Sequence, residues 1–424
     1  MDYTSYAQAF AQNETRFEEY ISRSGLSFEA EESSPRALRE PQARTCGCHC
    51  ENATASIWRN WISPACLRCR TGENTASLFI DFRCTKNCYF CFNVNQPEYD
   101  RFHTQQNDIV GELERAHRKN IPYDFLALTG GEPLLYKDTV LRFLERARKL
   151  YPQTHCRIYT NGDLLDRETA CQLASAGLNE IRFSIKPSDV DDSEAATFAA
   201  IEQAVGVIND VVIEMPVIPG SLDTMKRIMC FAEDAGVRGI NLLEFCFPLH
   251  NAEVFARKGF KLRKHPYRYL FPYGYNGGIP IAQSERECME LLQFAHNELN
   301  RLGVHYCSVD NRISSQIHLQ NKQFDHSPAL HQRHPWLAHS ASGPYLECAR
   351  VFGDDAQHVA HWAQESSTAC GFNQAVPYAQ IPLAAVKAAR YALPSCTFYK
   401  SISIVERCAS SEDPRIVEVG VEPL

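Results

Sequence analysis

Apolar and polar positions along this chain follow two periods that take turns. Short runs rich in β-branched and aromatic residues predict strands over Ser77–Phe82, Asp124–Thr129, His155–Thr160, Glu180–Lys186, Val211–Val217 and Gly239–Phe245. Helical spacing fills the intervals, at 105–119, 137–150, 167–176, 194–208 and 221–235. Successive strands lie about 30 residues apart, the length of one βαβ unit. This alternation predicts a parallel sheet covered by helices. Six β/α units predict a partial (β/α)6 barrel with functional loops at the C-terminal strand ends.

The flanks read differently. Residues 2–23 predict an amphipathic helix, with Tyr6, Phe10, Phe17 and Tyr20 near helical spacing. Residues 30–45 are polar and proline-containing, as in a connector. After Cys246 the pattern loosens, with a helix predicted at 284–302 and a strand-like GVHYCSV at 303–309. The organisation is therefore an N-terminal helix and connector (1–45), a cysteine-rich segment (46–76), a barrel core (77–250) and a C-terminal substrate-specific region (251–424). At 424 residues the chain exceeds the about 250–300 residues at which one core stops growing, which agrees with a core plus appended parts.

Composition excludes more than it names. A net charge of −8 argues against wholesale binding of nucleic acid or anionic membrane. No apolar run approaches a membrane span, and the polar, acidic N-terminus is wrong for a signal peptide, so a cytoplasmic protein is expected. In that compartment eighteen cysteines point to metal sites and free thiols rather than disulfides.

Cys84, Cys88 and Cys91 form C-x3-C-x2-C directly after the first predicted strand. Three thiolates on one loop can hold three corners of an iron–sulfur cube and leave one iron without a protein ligand, where such clusters normally take four cysteines. The same triplet with His103 would also suit a structural zinc ion. One unit later, Thr129-Gly130-Gly131-Glu132-Pro133 ends the second strand, where paired glycines let backbone approach a ligand closely. Tyr159-Thr-Asn161-Gly162, Ser184-Ile-Lys186 and Val217-Ile-Pro219-Gly220 end the next three. Each alone is ordinary turn chemistry.

In this order and spacing, with Phe90 before the third cysteine, these elements resemble the radical S-adenosylmethionine (SAM) superfamily over roughly residues 77–250. The resemblance implies a [4Fe–4S] cluster on Cys84, Cys88 and Cys91. It implies SAM contacts at Phe90, Gly130, Gly131, Glu132, Asn161, Ser184, Lys186 and Pro219. It further implies reductive cleavage of SAM to a 5′-deoxyadenosyl radical that modifies a peptide or small molecule, with electrons from a flavodoxin- or ferredoxin-type donor. The CFN after the third cysteine and the SIK strand resemble glycyl-radical activases, although 424 residues is long for that branch.

Cys46, Cys48, Cys50, Cys66 and Cys69 fall within 24 residues and predict a second metal site, either zinc or an auxiliary [4Fe–4S] cluster. They also open a rival reaction, transfer of the 3-amino-3-carboxypropyl group of SAM to a soft acceptor held by thiolates, as in arsenic-containing amino acid biosynthesis. Cys348, Cys370, Cys396 and Cys408 are too scattered for a ligand motif and read as small core hydrophobes. The basic, aromatic run at 257–268 leaves an RNA-modifying enzyme as a further alternative, although a solvated loop is its commoner meaning.

Overall fold

The computed structural model describes residues 2–30, 36–185, 194–269, 278–406 and 414–424. Lys186 and Cys408 lie outside the described residues. The chain divides into two compact units, one of Gly25–Pro266 and Gly277–Arg312, the other of Met1–Ser24, Tyr267–Asn276 and Ile313–Leu424.

The strands of the first unit are β1 (His49–Glu51), β2 (Ser56–Arg59), β3 (Thr75–Phe79), β4 (Phe125–Thr129), β5 (His155–Thr160), β6 (Glu180–Phe183), β7 (Asp210–Val217), β8 (Gly239–Glu244), β9 (Cys246–Phe247), β10 (Ile279–Pro280) and β11 (Gly303–Cys307). Nine of them form one sheet in the order β1-β2-β11-β8-β7-β6-β5-β4-β3. All pairings from β3 to β8 are parallel, and β11 joins β8 in parallel, Gly303 opposite Gly239 and Cys307 opposite Leu243. β2 then closes on β11 antiparallel and carries β1 with it. The six expected strands are present, and β11 adds a seventh parallel one. Because it pairs directly with β8, the GVHYCSV segment belongs to the barrel sheet.

Strand alternation sorts the two faces of the sheet. Leu126, Leu128, Ile158, Ile181, Ile213, Met215, Ile240, Leu242 and Val304 point outward and are buried under Leu113, Phe143, Leu144, Leu173, Ile201, Met225, Ile228 and Leu292 of the covering helices. Each such side chain stabilises the fold by roughly 1.5–3 kcal/mol, so this layer supplies the scaffold. The first strand ends at Phe79, short of the predicted Phe82. Asp81 takes its backbone out of the ladder. Its carbonyl accepts from Gly131 N at 3.0 Å, and its carboxylate accepts from Arg83 N and Nε and from the Tyr136 hydroxyl.

The inner face is polar. Arg182 on β6 binds Glu180, and at 2.5 Å it binds Glu214 of β7. Asn241 of β8 donates to Glu214 at 2.6 Å, and Asn241 Oδ1 and Ser56 Oγ flank the buried imidazole of His305 at 3.0 and 2.9 Å. Burial opposes the charge on Glu180, but Arg182, His155 and Ser63 outweigh it and hold its carboxyl below the usual range. For His305, burial and then Arg182 push the imidazole down to about 3.

That shift predicts a pH dependence. Unfolded chains take up a proton at this histidine below about 6.5, whereas the folded protein does so only near 3, so the unfolded state binds more protons between those limits. Stability from this group is complete above the unfolded value and is lost as pH falls below it. From pH 7.5 to 5 the loss is about 2 kcal/mol. His305→Gln should remove that share of the pH slope in urea unfolding at the two pH values. An unchanged slope would show that His305 does not stay neutral in the fold.

The second unit holds an antiparallel sheet in the order Gly371–Asn373, Tyr378–Ile381, Leu346–Phe352, Tyr399–Val405, Ile416–Pro423, with Ala338–His339 on Leu346–Phe352. Its helix Asp355–Glu365 buries Ala356, Val359 and Ala363 against Val351, Ile381 and Phe398. Cys348 and Cys396 are buried and Cys370 half-buried. The Cys396 sulfur also lies within 4.8 Å of ligand atoms of Asp355 and His358. The predicted N-terminal helix spans Tyr3–Ser22, capped by the Asp2 side chain on Ser5 N. Among the described residues no helix is long and apolar enough to cross a membrane.

Candidate active site

The C-terminal ends of the parallel strands surround a cavity of about 890 Å³. Cys84, Cys88 and Cys91 line one side, in the loop that leaves β3. Cys84 is exposed and the other two are half-buried. This loop has little regular structure, and neighbouring side chains clamp it. Asn161 Nδ2 donates to Thr85 Oγ1 at 2.8 Å and approaches Cys84 Sγ at 3.7 Å. His250 Nε2 lies 2.6 Å from the Cys91 carbonyl, and Asn251 Nδ2 donates to the Tyr89 carbonyl at 3.0 Å. Phe90 packs edge-on against buried Phe245, centroids 5.6 Å apart. The zinc alternative fares poorly on geometry. Among the described residues no three of Cys84, Cys88, Cys91 and His103 bring their ligand atoms within 4.8 Å of one another, as one tetrahedral ion needs.

The Gly130-Gly131-Glu132 turn faces the loop from the end of β4. Gly130 has φ +107°, and a Cβ there would lie 2.8 Å from the Asp81 carbonyl and Phe79 Cβ. Gly131 is tighter still, since a Cβ would sit 1.8 Å from the Arg83 carbonyl. The two backbones are bonded here, with Glu132 N donating to Arg83 O at 2.8 Å. The Glu132 carboxylate is buried and accepts from Leu134 N, Thr160 Oγ1 and Asn161 N at 3.0, 2.8 and 2.8 Å. Burial, its largest influence, pushes its carboxyl up despite these donors. With three of about four acceptor positions used, Glu132 chiefly braces β4 against the Asn161 turn.

Asn161 and Ser184 also line the cavity, at the ends of β5 and β6. Ser184 is exposed and its backbone N–H continues the ladder to Thr160 O at 2.9 Å. Lys186 falls outside the described residues. On β7 the wall is formed by Pro216, and Pro219 lies beyond the strand end, outside the lining. Sequence reasoning missed Glu214, Cys246 and Arg312 of the far wall. Glu214 is a strand residue of inward phase, a signal that periodicity carries. Arg312 sits alone in no motif.

The five N-terminal cysteines separate. Cys46 is buried, and its thiol donates to Gln293 Oε1 at 3.2 Å. Cys48 follows, its thiol pushed up to about 12 by burial first and the neighbouring Cys46 next, and Cys50 is exposed on β1. Cys66 and Cys69 instead lie on the helix Pro64–Cys69 beside the barrel's polar face, where Cys66 Sγ accepts from Arg182 at 3.3 Å and Asn241 at 3.5 Å. Cys307 of β11 is within electrostatic reach of both. Among the described residues no three of the five sulfurs come within 4.8 Å of one another, and none of them lines the cavity.

The basic run is largely spent internally. Arg263 is buried against Glu244 and Glu285, and Lys258 lies 5.1 Å from the centroid of the Tyr89 ring. Tyr267 and Tyr269 are buried, and Arg268 pairs with Glu422 at 3.4 Å.

With this geometry in hand, comparison with known proteins identifies the central domain. Residues 80–231 match the radical SAM superfamily. This stretch is a radical SAM domain. It contains the cysteine loop, the glycine turn and the strand ends β4 to β7, and such a domain works with a [4Fe–4S] cluster and SAM. The protein is thus an iron–sulfur enzyme dependent on SAM. The chain is 26% identical over 320 residues to a Methanocaldococcus jannaschii protein bearing the provisional name glycyl-radical enzyme activating enzyme, covering 72% of this chain and 78% of that one. Among solved structures, Streptococcus suis SuiB bound to S-adenosylmethionine matches at 15% identity and a TM-score of 0.38, covering 56% of this chain and 50% of SuiB. The anSMEcpe structure with bound AdoMet and Cp18Cys peptide matches at 19% identity and a TM-score of 0.35, covering 42% and 53%. The chain spans about half the length of each.

Proposed function

We propose that this enzyme cleaves SAM reductively and uses the 5′-deoxyadenosyl group to take hydrogen from a peptide or small molecule held in the 890 Å³ cavity. The observation that carries this reading is the convergence of the three cysteines, the Gly130–Glu132 turn, Asn161 and Ser184 on that one cavity. The donor set fits the cofactors. Three thiols on a clamped loop suit a cluster with one open iron, and the cradle at Gly131 admits no side chain. Bound there, the cluster supplies the electron and SAM the radical. The chain's own groups do the rest. Cys84, Cys88 and Cys91 hold the cluster, Asn161 orients its loop, the Gly130–Gly131 backbone receives the amino acid end of SAM, and the apolar wall at Phe90 and Phe245 limits water. The electron donor is of flavodoxin or ferredoxin type.

The provisional name of the M. jannaschii relative supports a polypeptide glycine as one substrate of this kind. The rival reaction, aminocarboxypropyl transfer to a soft acceptor, loses support because none of the five N-terminal thiols lines the cavity. Nucleoside analysis separates the two. Anaerobic, dithionite-reduced enzyme with SAM should yield 5′-deoxyadenosine as the dominant nucleoside, even without the true substrate. Methylthioadenosine in excess over the enzyme-free control would reverse the reading.

A further inference from the structure

The cavity wall carries several charged side chains, and most are matched by internal partners. Lys86 pairs with Asp163 at 3.1 Å. Glu214 accepts from Arg182 and Asn241 at 2.5 and 2.6 Å. Glu244 accepts from Arg263 and from Val309 N. Arg312, in the first turn of the helix Val309–His326, differs from these. Its Nη2 donates to the Glu244 carbonyl and to Cys246 Sγ, each at 2.8 Å, so the guanidinium is fixed by neutral groups. Its Nε is buried without a hydrogen-bond partner, and among the described residues no carboxylate hydrogen-bonds it, the Glu244 carboxylate acting on it only through space.

A guanidinium keeps its charge in proteins, and a partly desolvated charge without a hydrogen-bonded counter-ion is costly unless a ligand supplies one. With Nη2 spent on those two acceptors and Nε buried, Nη1 is the nitrogen through which Arg312 can donate to an anion. Its position separates it from the SAM contacts. It follows β11, which stands three strand steps from β6 and five from β4 in the sheet. At about 4.8 Å per step that is roughly 14 Å along the sheet from Ser184. The Cys loop, the glycine turn, Asn161 and Ser184 occupy the β3 to β6 side, which leaves the Arg312 wall to the other reactant.

We propose that Arg312 anchors an anionic group of the substrate, a carboxylate or a phosphate, and thereby sets the substrate class. The proposal rests on the reading of this cavity as the radical site. Three probes sharing one ring test it: benzoate, phenyl phosphate and the neutral benzamide, titrated by ligand-observed NMR into the anaerobic, SAM-loaded holoenzyme. Benzoate or phenyl phosphate should bind saturably and at least tenfold more tightly than benzamide, and the better of the two identifies the headgroup. Arg312→Gln should weaken that anion at least tenfold, Arg312→Lys should restore part of the loss, and SAM affinity should stay within twofold. Equal binding of anion and amide, no saturable anion binding, or anion affinity unchanged in Arg312→Gln would overturn the assignment. A tenfold loss of SAM affinity in that variant would overturn it too, by giving Arg312 to the SAM carboxylate. Formation of 5′-deoxyadenosine by the unsubstituted enzyme reports separately on the radical reading, so the two can fail independently.

Discussion

Cys84→Ala, Cys88→Ala and Cys91→Ala combined should reduce SAM cleavage by at least about a thousandfold, to the level of an enzyme-free reaction. The expectation follows from what the three thiolates do together. A cube normally takes four cysteine ligands, and this loop offers three beside the cavity that we propose holds SAM. Loss of all three leaves the cluster no anchor. The scaffold should survive, because the loop lies outside the apolar layer between sheet and helices, and Cys84 is exposed with Cys88 and Cys91 half-buried. Iron and sulfide analysis, visible absorption and chromatography of anaerobic reactions measure the effect. Thermal unfolding of the variant guards against simple misfolding. A folded triple variant that still cleaves SAM would remove the central claim. Iron retained by that variant would report a second metal site.

The parallel core was legible because its signal is local and repeated. Each strand has an apolar face for the helices, and each is followed by a helix at a nearly constant interval, so β4 to β8 lie where periodicity places them. Boundaries slipped where turn chemistry competes with the ladder, as at Asp81, whose groups bond Gly131 and Arg83. β11 was legible as a strand but not as the seventh of the barrel. Nothing within Gly303–Cys307 reveals that it pairs with a strand some sixty residues earlier. β1 and β2, at three and four residues, are too short for period to register.

The site shows the same division. Cysteines 84, 88 and 91 and the Gly130–Glu132 turn are contiguous motifs, and they face one cavity. At residues 46–69 the cysteines close in sequence take different partners in the fold. The helix Pro64–Cys69 takes its two thiols to Arg182 and Asn241, while Cys46 turns to Gln293. Arg312 shows the opposite failure. It is one arginine among many until tertiary structure places it in a wall where the other charges are matched.

Gly131→Ala should be nearly as damaging as loss of the cysteines, although it removes no ligand. The new methyl would sit 1.8 Å from the Arg83 carbonyl oxygen, 2.5 Å from its carbon and 2.8 Å from its nitrogen. These are backbone atoms, so no rotamer change relieves the clash. Either the turn after β4 or the segment leading into Cys84 must move, and the bond from Glu132 N to Arg83 O, 2.8 Å long, breaks with it. Overpacking of this kind costs about 3 kcal/mol or more, and it falls on the two segments proposed to hold cluster and SAM in register. A displacement of 1 Å at a reacting centre is enough for about a hundredfold loss in rate, so SAM cleavage should fall by at least that factor together with cluster content. Gly206→Ala is the control. It also sits at positive φ, +75°, but has nothing within 4 Å of its would-be Cβ, so it should cost only about 1 kcal/mol and leave turnover near that of the parent enzyme. Iron content, urea unfolding and 5′-deoxyadenosine formation, compared across the two variants, separate steric damage at the cradle from the general cost of replacing glycine. A Gly131→Ala protein that loads a full cluster and turns over like the Gly206→Ala control would show that the close approach of the two backbones is not needed for the site.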